Sequence, residues 1–287
     1  MMQPTGERDA IAVWGDTLKP SALAGVRDLF RQEQERLAAA QPAAATDLAY
    51  GPDARHRLDV YRSDDGGEHP RPVLLWVHGG GFLRGEKASP EHPYNAHAGR
   101  WAARHGMVGA VMNYRLAPDH VWPAGGEDVG AALDWLAAHV ATFGGDPQRI
   151  VVVGTSAGAA HIATHLHLRN GTSPAAGAVL LSGLYGFAPL EERDRLYFGT
   201  SVHDADRSDA VAMTATKLPL LLACAQYDPQ RFQAETIGLV AARFARHGRL
   251  PRSFYGSGHN HFSLAYHLGT SDTRLADEIL AFIGDLS

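Results

Sequence analysis

The sequence predicts an α/β fold in which a mostly parallel sheet is covered by helices on both faces. Three observations carry this. Short apolar runs recur at 73–77, 108–113, 150–153, 178–181 and 218–225, continuous rather than alternating and mostly bounded by Gly, Pro or Asp. Runs of that kind are strands buried on both faces. Between them lie helical stretches over 126–141, 157–168, 233–247 and 272–283, the first with Val129, Leu133, Leu136 and Val140 on one stripe. Strands alternating with helices build parallel sheets with crossover helices. An earlier run over 58–61 reads as an antiparallel strand, and a further strand is expected over 252–255.

The 287 residues, 45% hydrophobic and 20% charged, can bury a large core and exclude extensive disorder. A net charge of -5 with no basic run excludes nucleic acid as partner. The one cysteine, Cys224, lies in the apolar run 218–225, where it reads as a small buried hydrophobe, and no intrachain disulfide can form. This fits a reducing compartment. No apolar stretch approaches the roughly 20 residues of a membrane span. Residues 1–9 are polar and carry no signal-peptide apolar segment, so a cytoplasmic location is expected.

Two parts are expected along the chain. Residues 1–45 form a helical arm, packed on the domain or acting as a lid. Its helix over 21–40 carries Leu23, Val26, Leu29, Phe30 and Leu37 and is ended by Gln41-Pro42. Residues 46–287 form the catalytic domain, with the irregular, charged stretch 186–216 read as an insertion above the sheet.

The strand over 150–153 runs directly into Gly154-Thr155-Ser156-Ala157-Gly158, and a helix follows. A serine on a sharp strand-to-helix turn is held in a strained backbone, and small residues two before and two after it relieve the contacts. The turn presents the Ser156 hydroxyl at the carboxyl edge of the sheet, where the helix N-terminus favours developing negative charge. Ser156 is therefore the candidate nucleophile.

After the strand over 73–77 comes His78-Gly79-Gly80-Gly81-Phe82. Consecutive glycines cost chain entropy and let backbone N–H groups approach a ligand closely. Together with the N–H of Ala157 they can hold the oxyanion of a tetrahedral intermediate. A phosphate-binding loop is the rival reading, but the Gly-Lys-Ser/Thr ending is missing. His78 reads as a structural residue that fixes the loop.

A nucleophilic serine needs a base, and the base an orienting carboxylate. Asp228 follows the strand over 218–225, at the sheet edge where a site residue belongs; capping the helix after Pro229 is a compatible role. The base is expected in Gly256-Ser257-Gly258-His259-Asn260-His261-Phe262, where residue chemistry alone leaves His259 and His261 open. His267 looks part of the next helix. Sixteen histidines raise the question of metal. His161 and His165 have helical spacing, but Ile162 stands where a metalloprotease helix has Glu. His259 and His261 could chelate, but no carboxylate cluster accompanies them in sequence. No metal is expected.

Taken together, His78-Gly79-Gly80-Gly81-Phe82, Asn113-Tyr114-Arg115-Leu116-Ala117-Pro118, Trp122-Pro123-Ala124, Gly144-Gly145-Asp146-Pro147 and Gly154-Thr155-Ser156-Ala157-Gly158 resemble the hormone-sensitive-lipase-like carboxylesterases. They also resemble the neighbouring esterase and formamidase branch of the α/β-hydrolases. The resemblance runs from about residue 47 to the end. It implies an α/β-hydrolase fold, His261 before Phe262 as base, and Gly80, Gly81 and Ala157 as oxyanion donors, with Gly79 a further candidate. It also implies a structural role for the Tyr-Arg-Leu-Ala-Pro segment. The family commonly has a second Asp after the acid, whereas Asp228-Pro229-Gln230-Arg231-Phe232 follows here. That tail looks closer to the formamidase branch, yet formylkynurenine hydrolases commonly carry a large aromatic residue in place of Gly81.

The expected function is hydrolysis of small, short-acyl carboxylic esters through an acyl-enzyme on Ser156, with no cofactor and with Phe82 and Trp122 as candidate pocket residues. A homo-oligomer is compatible with the sequence. An aryl formamidase is the alternative activity. A non-catalytic, receptor-like hydrolase, such as the gibberellin receptors that resemble this family, is expected to lack a triad member, and none is missing.

Overall fold

The computed structural model describes residues 5–63, 69–199 and 209–286. Eight strands form one sheet in the order β1-β2-β4-β3-β5-β6-β7-β8: β1 Ala45–Ala49, β2 Arg57–Tyr61, β3 Arg71–Val77, β4 Val108–Met112, β5 Gly145–Thr155, β6 Gly177–Leu181, β7 Leu220–Tyr227 and β8 Arg252–Asn260. The β1–β2 and β2–β4 pairs are antiparallel and the rest parallel. This is the α/β-hydrolase arrangement the sequence implies.

The continuous apolar runs follow from burial on both faces. Along β3, Val73, Leu75 and Val77 point into one core, while Leu74 and Trp76 point into the other. The first core is shared with α4 Ala124–His139 and α5 Ala157–Leu168, through Val129, Leu133 and Ile162. The second is shared with α3 Ala96–Arg104 and α10 Arg274–Gly284, through Trp101 and Ile279. Helix α8, Gln230–His247, follows β7.

Helix α3 and strand β1 are among the elements with no counterpart in the sequence reading. Helix α3 is short and mostly buried, but its buried side carries His97, Gly99 and alanines with Trp101 as its large apolar residue, so no apolar stripe marks it in the sequence. Strand β1 is a short, mostly exposed edge strand without an apolar face. The arm holds two helices, α1 Thr5–Trp14 and α2 Pro20–Ala40, the second starting at a proline whose missing N–H costs nothing there. Their apolar side, with Ile11, Val26 and Phe30 buried, packs on Tyr94, Phe262 and Tyr266. Gln34, fully buried, donates to the carbonyls of Tyr266 and Leu268 at 2.9 Å each.

Within the expected insertion lie a single turn at Glu192–Asp194 and short helices α6 Arg195–Phe198 and α7 Asp209–Ala215; its residues 200–208 fall outside the described residues. The four-residue helix α9, Ser263–Tyr266, connects β8 toward α10. Cys224 is partly buried rather than enclosed, and burial and the nearby Asp228 charge push its thiol up to about 11.

Candidate active site

Ser156 occupies the turn between β5 and α5 with φ 54° and ψ -118°, a conformation that L-residues avoid. The surroundings enforce it. The Ser156 N–H donates to the Leu181 carbonyl at 2.8 Å. A Cβ on Gly154 would lie 2.7 Å from the Ala159 nitrogen, and one on Gly158 2.1 Å from the Val77 carbonyl oxygen. The flanking glycines are therefore fixed by backbone approach, as the pentapeptide suggested.

From Ser156 a chain of hydrogen bonds runs inward. His261 Nε2 lies 3.0 Å from Ser156 Oγ, and His261 Nδ1 lies 2.7 Å from Asp228 Oδ1. The carboxylate only accepts, so Nδ1 carries the hydrogen and Nε2 is left to accept from the serine hydroxyl. Asp228 is 1% exposed, and its other oxygen accepts from Ser182 Oγ and from the Ala225 N–H, both at 2.6 Å. Three donors thus hold the carboxylate in place. The Phe232 ring packs on the imidazole with centroids 4.3 Å apart.

His259 lies elsewhere. It is fully buried, its Nδ1 is 3.1 Å from Ser263 Oγ, and its Nε2 is 3.2 Å from Asp272 Oδ2. Its ring stacks on that of His267 with centroids 3.9 Å apart. The sequence reading expected no carboxylate cluster around His259; the structure brings one carboxylate to it, Asp272, 13 residues on. The ligand-capable atoms of His259, His267 and Asp272 lie within 4.8 Å of one another. Arg274, however, donates to both Asp272 oxygens, at 2.9 and 2.6 Å, and approaches His259 Nε2 to 3.2 Å. Its guanidinium supplies the positive charge a cation would bring, and it holds the Asp272 carboxyl far below the usual carboxylate range against the opposing effect of burial. Nor do His161 and His165 make a pair: His161 faces Tyr114 and Tyr197, and His165 bonds Ser173.

Gly79, Gly80, Gly81 and Ala157 line the same cavity as Ser156. Gly80 has φ 136°, and a Cβ there would sit 1.9 Å from the Arg84 carbonyl oxygen. A Cβ on Gly79 would lie 3.3 Å from that of Ser156, so the loop backbone runs close against the serine. Ala157 opens α5, and its N–H has no acceptor within the helix. The loop is braced from below. His78 is fully buried, donates from Nδ1 to the Gly79 carbonyl at 2.7 Å and stacks on Tyr114; burial pushes its pKa down to about 4, so it is neutral at pH 7. Tyr114 Oη donates to the His78 carbonyl at 2.8 Å, and Arg115 is held on Asp128 by its backbone N–H and its Nε, at 2.7 and 2.8 Å. The Tyr-Arg-Leu-Ala-Pro segment thus supports the loop, as the resemblance implied.

The cavity has a volume of about 390 Å³. Phe82 lines it but is only 2% exposed, its ring stacked on Tyr197 at 4.5 Å. Trp122, expected near the pocket, is not among the lining residues; it packs on the Phe82–Tyr197 cluster and stacks on His167. From the insertion Arg193 and Asp194 reach the cavity, and from the arm Leu18, Leu23 and Arg27 do. Sequence reasoning missed Ser182, whose bond to Asp228 no spacing announces. It also missed Arg27, which looked like one more polar residue on α2.

A serine, a histidine and a carboxylate are thus chained by hydrogen bonds at the carboxyl edge of this sheet, beside a glycine loop, as the α/β-hydrolase resemblance implied. The BD-FAE family matches residues 58–191. Esterase LipC of Mycobacterium tuberculosis is 36% identical over 157 residues, 51% of this chain and 37% of that protein. Phenmedipham hydrolase of Pseudarthrobacter oxydans is 44% identical over 109 residues, 34% of this chain and 20% of that protein. The chain therefore spans well under half the length of these curated relatives. Among solved structures, an esterase of Pyrobaculum calidifontis superposes with a TM-score of 0.70 at 25% identity, with all of both chains covered. A bacterial heroin esterase gives 0.68 at 26%, with 98% of each covered. The chain has the α/β-hydrolase fold, and these comparisons liken it to esterases and related hydrolases. No helix among the described residues is long and apolar enough to cross a membrane.

Proposed function

We propose that the protein is a carboxylesterase-type serine hydrolase acting on small esters through an acyl-enzyme. The supporting observation is the chain Asp228 Oδ1, His261, Ser156 Oγ, with links of 2.7 and 3.0 Å, opening into the cavity. The esterase relatives give the reaction class its context.

In this reading His261 Nε2 takes the Ser156 proton as Oγ attacks the ester carbonyl carbon. The carbonyl π electrons move to oxygen, and the N–H groups of Gly80, Gly81 and Ala157, with Gly79 adjacent, stabilise that oxyanion. Asp228 holds the imidazole tautomer and stabilises the imidazolium. His261 then gives its proton to the leaving alcohol as the C–O bond breaks. Water attacks the acyl-serine with His261 again as base, releasing the carboxylic acid and restoring Ser156. Phe82 shapes the cavity wall from beneath. A volume of about 390 Å³ favours short acyl groups, since it lies near the small end of the ~300–1,000 Å³ typical of ligand pockets. The arm, residues 1–45, adds wall to the catalytic domain, residues 46–287.

Ser156→Ala tests the proposal: turnover of 4-nitrophenyl acetate falls to background while the circular dichroism spectrum is kept. Unchanged turnover overturns the proposal. A panel of acyl lengths, with an aryl formamide alongside, tests the substrate class; faster cleavage of the formamide would replace the ester reading.

A further inference from the structure

The cavity over Ser156 is walled by four arginines, Arg27, Arg84, Arg193 and Arg231, against two carboxylates, Glu86 and Asp194. Two of the arginines are neutralised. Arg231 meets Glu191 and Asp194 at 2.6 and 2.8 Å, and Arg193 meets the same Glu191 at 3.0 Å. Arg84 and Glu86 are exposed, where water screens them.

Arg27 differs from all of these. It enters from α2 and is half-buried, and no described carboxylate lies within ion-pair distance of it. Its guanidinium carbon lies 5.9 and 5.8 Å from the ring centroids of Tyr94 and Tyr266. Its Nε is shielded from solvent and has no hydrogen-bond partner among the described residues. In the same wall, His92 Nδ1 is likewise shielded and unpartnered. Burial, and then the Arg27 charge, hold the His92 pKa below its ordinary value, so Arg27 is the fixed charge at this end of the cavity.

A half-desolvated cation without an anion is costly, and charge-assisted hydrogen bonds to a ligand anion remove that cost. Building on the esterase reading, we propose that the Arg27 end of the cavity binds a carboxylate of the substrate, so that the preferred esters carry an anion remote from the scissile bond. The anion can belong to the acyl part, as in a dicarboxylic half-ester, or to the alcohol part, as in an ester of a hydroxy acid. Packing against Tyr94 and Tyr266 also fastens α2 to the domain, so the test must separate recognition from stability.

The experiment measures kcat/KM for 4-nitrophenyl hemiglutarate against 4-nitrophenyl butyrate, and for 4-acetoxybenzoate against phenyl acetate. Each anionic-to-neutral ratio is compared between wild type and Arg27→Gln, which cancels the intrinsic reactivity of the esters. In at least one pair the ratio falls about tenfold, the worth of one charge-assisted contact, and Arg27→Lys keeps most of it. Raising salt from about 0.05 M to about 1 M lowers the wild-type ratio in the same pair, a readout that needs no variant. Ratios unchanged by both salt and substitution overturn the Arg27 proposal, as does an equal loss for anionic and neutral esters. Absence of wild-type turnover of every ester overturns the hydrolase reading itself.

Discussion

Replacing Asp228 with asparagine removes a charge while conserving shape, and the surroundings determine how the amide must turn. Asp228 Oδ2 receives two donors, the Ala225 N–H and the Ser182 hydroxyl, while Oδ1 receives His261 Nδ1. If the amide NH2 faced Ala225, two donors would meet in a site only 1% exposed. Leaving a buried backbone N–H unpaired costs on the order of 1–3 kcal/mol. The amide oxygen therefore stays on Ala225 and Ser182, and the NH2 turns to His261. There it donates to Nδ1 and forces the imidazole hydrogen onto Nε2, facing the Ser156 hydroxyl it should deprotonate. The fold is kept and the base is disabled. A loss of about 10³–10⁴ in kcat is expected, ~4–5.5 kcal/mol of transition-state stabilisation. The assay is steady-state hydrolysis of 4-nitrophenyl acetate, with thermal melting on the same sample. A kcat within tenfold of wild type at unchanged Tm would refute the assignment of Asp228 as the orienting group.

Further outcomes follow from the same geometry. Gly80→Ala would force a Cβ within 1.9 Å of the Arg84 carbonyl oxygen at a φ of 136°, so the loop must move and kcat should fall about 10²–10³-fold, measured with the same ester. His259→Ala removes a buried partner of Asp272 and Ser263, and should lower Tm by roughly 3–8 °C while kcat stays within about tenfold. His261→Ala should do the reverse. Acid sensitivity is the last. Burial holds His78, His97 and His165 down to about 4 and His161 down to about 3, against an ordinary 6.5. Below pH 6.5 the unfolded chain takes up protons that the folded chain refuses. Each of these histidines then lowers stability by up to about 1.4 kcal/mol per pH unit until its folded pKa is reached. The Tm should be level from pH 8 to 7 and fall steeply below about pH 6; a Tm unchanged down to pH 4.5 would contradict this.

The strands and the nucleophile turn were legible because burial on both faces and close backbone approach leave direct marks: apolar runs, and glycine at 154 and 158. Helix α5 was read with the bounds it has, Ala157–Leu168. Helix α3 was not, because it is short and its buried side is made of alanines, His97 and Gly99 around Trp101, which leaves no run of large apolar residues at helical spacing to read. The pairing of His261 with Asp228 could not be read from residue chemistry, since His259 is equally a histidine near the end of β8. Only the partners separate them: Asp228 and Ser156 for one, Asp272 and Arg274 for the other. Those contacts span 33, 105 and 13–15 residues, and depend on strand order rather than on local pattern. Arg27 was invisible for the same reason, because its place in the cavity wall depends on where α2 docks.

The central claim is that Ser156 is the one hydroxyl activated for attack on a carbonyl. Covalent labelling with a fluorophosphonate, followed by peptide mapping, tests it most directly. The account predicts one adduct per chain, on Ser156, lost in Ser156→Ala and strongly slowed in His261→Ala. An adduct on any other residue, or labelling that survives Ser156→Ala, would contradict it.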